Sequence, residues 1–75
     1  MTTLADLRVG MRARVRGVAG SDDISVRLLE MGLTPGTELQ VIGTAPLGDP
    51  LELDLRGYRL SVRKTEASRV EVDAA

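Results

Sequence analysis

Apolar and polar residues alternate strictly over residues 11–18. Met11, Ala13 and Val15 fall on one side, and Arg12, Arg14 and Arg16 on the other. A period of two predicts a half-buried strand. Gly10 before it and Gly20-Ser21 after it act as breakers, and residues 3–7 have room for one helical turn. The period then changes. Ile24, Leu28 and Met31 recur at helical spacing behind Ser21-Asp22-Asp23, a polar and acidic helix start. Gly32 stands where a left-handed residue ends a helix, with Leu33 folding back behind it. Thr34-Pro35-Gly36-Thr37 reads as a type II turn, because Pro presets φ and Gly accepts a positive φ. Alternation returns over residues 38–42, with Leu39 and Val41 inward, and over residues 51–56, with three leucines on one face. Residues 44–50 between them, with Pro46, Gly48 and Pro50, form a loop. Gly57-Tyr58 is expected to make a type II′ hairpin turn into a strand over residues 59–63. That register sets Leu55 opposite Leu60, Leu53 opposite Val62 and Glu52 opposite Arg63. Residues 64–67 read as a short helical turn, and residues 69–72 as the last strand.

Five short strands and one helix exceed what a flat sheet buries without leaving long edges. Curling into a small barrel covers the leucine faces and shortens those edges. A helical turn between the last two strands is a feature of SH3-like barrels. The expected fold is therefore mainly β: a small SH3-like five-stranded barrel with one α-helix inserted between strands 1 and 2, spanning residues 1–75 as one domain.

Composition narrows what this barrel can do. The 75 residues contain no Cys, no His, no Trp and no Phe; Tyr58 is the one aromatic. Disulfides and Cys/His metal sites are excluded, so stability rests on aliphatic packing. No apolar run is long enough to span a membrane. The start, Met1-Thr2-Thr3-Leu4-Ala5-Asp6, has neither a basic nor an apolar signal region. The expected address is the cytoplasm.

Without His and Cys, the commonest general base and the thiol nucleophile are missing. Ser61-Val62-Arg63-Lys64 matches an S-x-x-K pattern, but on a strand that sends the two side chains to opposite faces. Lys64-Thr65 lacks the glycine that a phosphate loop needs before its lysine. Glu52 and Asp54 share an outer face near Asp49, which reads as a solvated surface. Arg12, Arg14 and Arg16 form a basic stripe, and all but one of the ten cations are Arg. A net charge of −1 and the lack of aromatic platforms weigh against nucleic acid. An apolar surface for a protein partner remains. Leu47, at the tip of its loop, is either tucked under it or exposed as an anchor. Met31 is either core or a soft contact residue.

Three segments, taken together, resemble the FeoA family, the small cytoplasmic partners of the bacterial ferrous iron transporter FeoB. They are Arg27-Leu28-Leu29-Glu30-Met31-Gly32-Leu33-Thr34-Pro35-Gly36-Thr37, then Ala45-Pro46-Leu47-Gly48-Asp49-Pro50, then Arg56-Gly57-Tyr58-Arg59-Leu60-Ser61-Val62-Arg63-Lys64. The opening Leu4-Ala5-Asp6-Leu7-Arg8-Val9-Gly10 also fits. The resemblance implies an SH3-like barrel, no catalysis, no cofactor, and support of iron uptake by contact with the transporter's cytoplasmic part. It also carries a transition-metal label, although this chain offers only carboxylates as ligands. The expected partner surface is Glu30, Met31, Leu47, Gly48 and Asp49. Gly32, Pro35, Gly36 and Gly57 serve as caps and turns. No nucleic acid and no membrane insertion are expected, and the chain is taken as a monomer or weak homodimer. The alternatives are a stand-alone regulatory module, like the C-terminal SH3-like domain of iron-dependent repressors, or a nucleic-acid-binding small barrel.

Overall fold

The computed structural model describes residues 2–74; Met1 and Ala75, the ends of the expected domain, lie outside them. A short 3-10 turn (Leu4–Asp6) leads into β1 (Arg12–Val18), α1 (Asp23–Glu30), β2 (Glu38–Thr44), β3 (Leu51–Leu55), β4 (Tyr58–Val62), α2 (Lys64–Ala67) and β5 (Val70–Ala74). The strands form one antiparallel sheet in the order β4-β3-β2-β1-β5. This is the SH3-like barrel expected, with α1 inserted between β1 and β2. Among the described residues the seam between β4 and β5 carries no ladder.

Two bulges bend the central strands. Arg16 is skipped in the pairing of β1 with β5, and Ile42 in the pairing of β2 with β3. An extra residue on one strand kinks it and raises its twist. The inner faces of the five strands, with Leu4, Leu7, Leu28, Leu33 and Ala67, form one aliphatic core. Ala13 and Val15 are buried as the alternation predicts, and Arg12, Arg14 and Arg16 are exposed. Met11 departs from expectation: it precedes the first paired residue of β1 and is exposed.

The hairpin also differs from the sequence reading. Its turn residues are Arg56 and Gly57, with φ of 52° and 100°. Positive φ at both central positions is the type I′ pattern, whose twist matches that of the flanking strands. Tyr58 becomes the first residue of β4 and pairs with Leu55, Leu60 with Leu53, Val62 with Leu51, and Ser61 with Glu52. The pairing is therefore two residues away from the expected one. A shift of two preserves the faces, so the leucines still meet apolar partners. The expected register would have set Arg56 against Arg59, like charges facing each other; the observed one sets Asp54 against Arg59. Asp54 Oδ1 accepts the Gly57 N–H at 3.0 Å, which favours the observed turn.

Candidate partner-binding site

The helix end is built as a Schellman motif. The Leu33 N–H donates to Leu28 O at 3.2 Å and the Gly32 N–H to Leu29 O at 3.0 Å. Leu28 and Leu33, which meet across such a cap, are both fully buried. Gly32 has φ +109°, and a Cβ there would lie 2.0 Å from Tyr58 Oη. Glycine is needed for the backbone and for the approach of that ring. The Tyr58 hydroxyl donates to Met31 O at 2.8 Å, tying the helix end to the start of β4. Met31 is half-buried against the core, whereas Glu30 is exposed. The following turn is held by Thr37 N–H to Thr34 O at 3.1 Å, with Gly36 at φ +90° after Pro35.

The 45–50 loop is closed at its base. The Ala45 N–H donates to Pro50 O at 3.1 Å, and the Gly48 N–H to Ala45 O at 2.7 Å. Gly48 takes φ +84° in this turn. Leu47 at the tip is 96 % exposed, so of its two readings the structure shows the exposed one. Asp49 is exposed but engaged with its own chain: its Oδ1 accepts the Lys64 N–H at 3.0 Å. That contact was not foreseen. α2 starts after Arg63, whose side chain cannot accept a bond, so the orphan amides of its first turn need side-chain acceptors from elsewhere. The absence of Ser, Thr, Asp or Asn at that position was the available signal.

The structure therefore anchors the two halves of the expected surface at different places. Met31 is held at Tyr58, the first residue of β4, and the loop at Lys64, beyond its last. Six steps of chain separate those anchors, up to ~20 Å in extended conformation. The link between them is α2. Arg27 of α1 donates to Glu66 Oε2, while the start of α2 receives Asp49.

Charge is mostly balanced. Asp22 caps α1 by accepting the Ser25 N–H at 3.2 Å, and Arg69 Nη1 reaches its Oδ1 and Oδ2 at 2.6 and 2.7 Å. The Arg69 bond, followed by the Ser25 amide, lowers the Asp22 pKa to about 2. On the outer face, Arg14 donates to Glu38 Oε2 at 2.8 Å, and Arg16 lies 3.6 Å from Asp73. An open groove there is lined by Arg12, Arg14 and Arg56 together with Glu38, Asp54 and Asp73, a neutral set. The Glu38 carboxyl is held below its ordinary range, first by the Arg14 bond.

A metal does not fit this donor set. The sequence has no His or Cys, and among the described residues no three carboxylates converge. Isolated carboxylates suit hard cations rather than tight transition-metal binding. Among the described residues no helix is long and apolar enough to cross a membrane.

Residues 2–74 match the model of the FeoA domain family. A curated relative from Porphyromonas gingivalis, an Fe(2+) transport protein A/Fe(2+) transporter FeoB fusion protein, is 34% identical over 70 residues. The alignment covers 93% of this chain and 8% of that protein, so the chain spans a small part of that relative's length. The zinc complex of FeoA from Stenotrophomonas maltophilia, described as a procaryotic SH3 domain protein, superposes with a TM-score of 0.84. It is 34% identical, with 97% of this chain and 91% of that one covered. A manganese-dependent transcriptional repressor shares the fold at a TM-score of 0.88, with 99% of this chain and 36% of that one covered. At 14% identity, that likeness is one of fold alone.

Proposed function

The chain belongs to the FeoA family, and from that premise we propose that it is a non-enzymatic accessory protein of ferrous iron uptake, acting in the cytoplasm by contact with a FeoB-type transporter. The observation that carries this reading is the fusion in the P. gingivalis relative. There one polypeptide joins a segment similar to this chain to the transporter. Covalent joining fixes two partners at high effective concentration, which serves parts that work against each other. The proposed contact surface keeps Glu30, Met31 and the Leu47 loop, with Leu47 as the apolar anchor. Gly48 and Asp49 hold that anchor in place. Iron is the cargo of the transporter in this reading, and the accessory chain needs no iron ligands.

The test is co-purification of the full chain with the cytoplasmic part of the transporter from the same genome. Wild type should bind, and Leu47→Asp should bind at least about tenfold more weakly, as removal of a central apolar anchor does. Failure of the folded wild-type chain to bind overturns the reading. Undiminished binding by Leu47→Asp removes the loop from the surface and leaves Glu30 and Met31 to be tested. The regulatory-module alternative rests on fold alone; capture of a DNA-binding protein in place of the transporter would favour it.

A further inference from the structure

The sheet has two outer strands, and they are treated differently. The free side of β5 is covered by the N-terminal segment: Thr3 bridges Glu71, and the Val72 N–H donates to Thr2 O at 3.0 Å. β4 is the last strand on the other side, and among the described residues no strand covers it. In a two-residue hairpin the residues flanking the turn exchange hydrogen bonds, and such pairs recur at every second residue. Tyr58, Leu60 and Val62 thus turn their peptide groups toward β3. Arg59 and Ser61 turn theirs outward, and both residues are exposed. Beyond them the Arg63 N–H is already taken by Glu66 Oε1 at 3.4 Å. The open stretch is thus two donors and two acceptors, spaced for a short added strand.

The side chains along this edge select what can add. Arg56, Arg59, Arg63 and Lys64 are exposed and make no ion pair among the described residues. The nearby acids are Glu52 and Asp54 on β3 and, at the far end, Asp49 and Glu66. Asp54, Asp49 and Glu66 accept the Gly57, Lys64 and Arg63 amides, and Glu66 also pairs with Arg27, which leaves Glu52, among the described residues, as the one of the four with no such bond. The edge is therefore basic on its outer face. On its inner face it presents half-buried Leu60 and Tyr58, which is 49 % exposed. A second copy of β4 is a poor occupant. Antiparallel self-pairing about Ser61 sets Arg59 against Arg63 of the other copy, and pairing about Arg59 sets it against itself. Pairing about Leu60 sets Arg59 diagonal to both Arg59 and Arg63 of the other copy, within reach of such long side chains. Like charges directly opposite destabilise a ladder.

We propose that the β4 edge is a strand-addition site for an extended acidic segment of a partner protein, with alternate acidic and apolar side chains. The acids meet Arg59 and Arg63, the apolar residues cover Leu60 and Tyr58, and the main chain pairs with Arg59 and Ser61. This site adjoins the base of the Leu47 loop at Lys64 without including Leu47, and it does not depend on the transporter being the partner.

The test uses the full chain and a short synthetic peptide of alternating Glu and Val, with no transporter present. Amide shifts and hydrogen exchange are read residue by residue. The expected result is slowed exchange at Arg59 and Ser61, and shifts confined to β4 and its flanks. Ser61→Pro deletes an outward N–H without touching the β3 ladder and should weaken binding on the order of tenfold. Because that variant could fold poorly, two further probes accompany it. The double variant Arg59→Glu with Arg63→Glu should prefer a Lys–Val peptide. A Glu–Val peptide N-methylated on alternate amides should lose binding to the unaltered chain. The proposal is overturned if the methylated and plain peptides bind alike, or if the peptide shifts residues away from β4. Equal binding of the Lys–Val peptide to wild type would also overturn it, as would concentration-dependent dimerisation that protects Arg59 and Ser61 without peptide. So would single-stranded DNA protecting those amides more strongly than the peptide.

Discussion

Gly32→Ala should be among the most damaging single-methyl additions in this protein, and its cost can be divided into two parts. The first is backbone strain. Gly32 sits at φ +109°, a region where an L side chain costs about 1–2 kcal/mol. The second is steric. The new Cβ would lie 2.0 Å from Tyr58 Oη and 3.4 Å from Tyr58 Cζ. The ring must swing away, and its 2.8 Å bond to Met31 O is lost. A hydrogen bond of this kind contributes about 1 kcal/mol. The sum is roughly 2–3 kcal/mol, equivalent to a fall in Tm on the order of 10 °C for a domain of this size. Thermal and urea unfolding followed by far-ultraviolet circular dichroism measures it, since Tyr58 is itself varied in the second arm. In a Tyr58→Phe background the hydroxyl is gone, and the ring carbon at 3.4 Å can yield. There Gly32→Ala should cost only the backbone share, leaving a coupling of about 1 kcal/mol between the two sites. A cost below ~0.5 kcal/mol in the wild-type background, or the same cost in both, would refute the account.

Three further outcomes follow from the geometry. Asp22, with its pKa lowered to about 2 from 3.8, favours the folded chain at neutral pH. That contribution is lost as pH falls from 3.8 toward 2, because the unfolded form takes up the proton first. The Tm gap between wild type and Asp22→Asn should therefore shrink across that interval. Leu53→Ala, at a fully buried β3 position, should cost about 3 kcal/mol in urea unfolding. That is a large share of the roughly 4–11 kcal/mol available to a chain of this length. Leu47→Asp should shift stability by less than ~0.5 kcal/mol, because the side chain touches little of its own protein.

Periodicity revealed what depends on which face a residue occupies. The alternation of residues 11–18 and 51–56 assigned Ala13, Val15 and the three β3 leucines inward, and the barrel uses them so. Gly32, Pro35 and Gly36 were legible because each has one local conformation that only its type accepts easily. The β3–β4 pairing was not legible for a related reason. Both candidate turns put the same apolar faces together, so patterning could not separate them. The deciding contacts are the Asp54 bond to Gly57 and the Tyr58 bond to Met31, and the second is made across 27 positions of sequence. Asp22 with Arg69, Arg27 with Glu66, and Asp49 with Lys64 are likewise pairs made by the fold. No local spacing announces them, because each joins elements that meet only after the sheet has curled.

Those long-range ties bear on how a chain with a single aromatic residue can bind a partner. Interfaces commonly gain their affinity from buried Trp, Tyr and Arg anchors, and Tyr58 is committed to holding the helix end. Under the proposed function Leu47 must serve as anchor, and a leucine offers less surface than an aromatic ring. The structure compensates through rigidity. The loop is closed by the Ala45 and Gly48 amides and pinned to α2 by Asp49, while α2 is tied in turn to α1 by Arg27. A loop already ordered before contact loses little conformational freedom on binding, so more of the burial energy of its tip appears as affinity. Under that proposal Asp49, itself exposed, pins the loop that carries Leu47, so a change there should weaken binding at least as far as it loosens the loop.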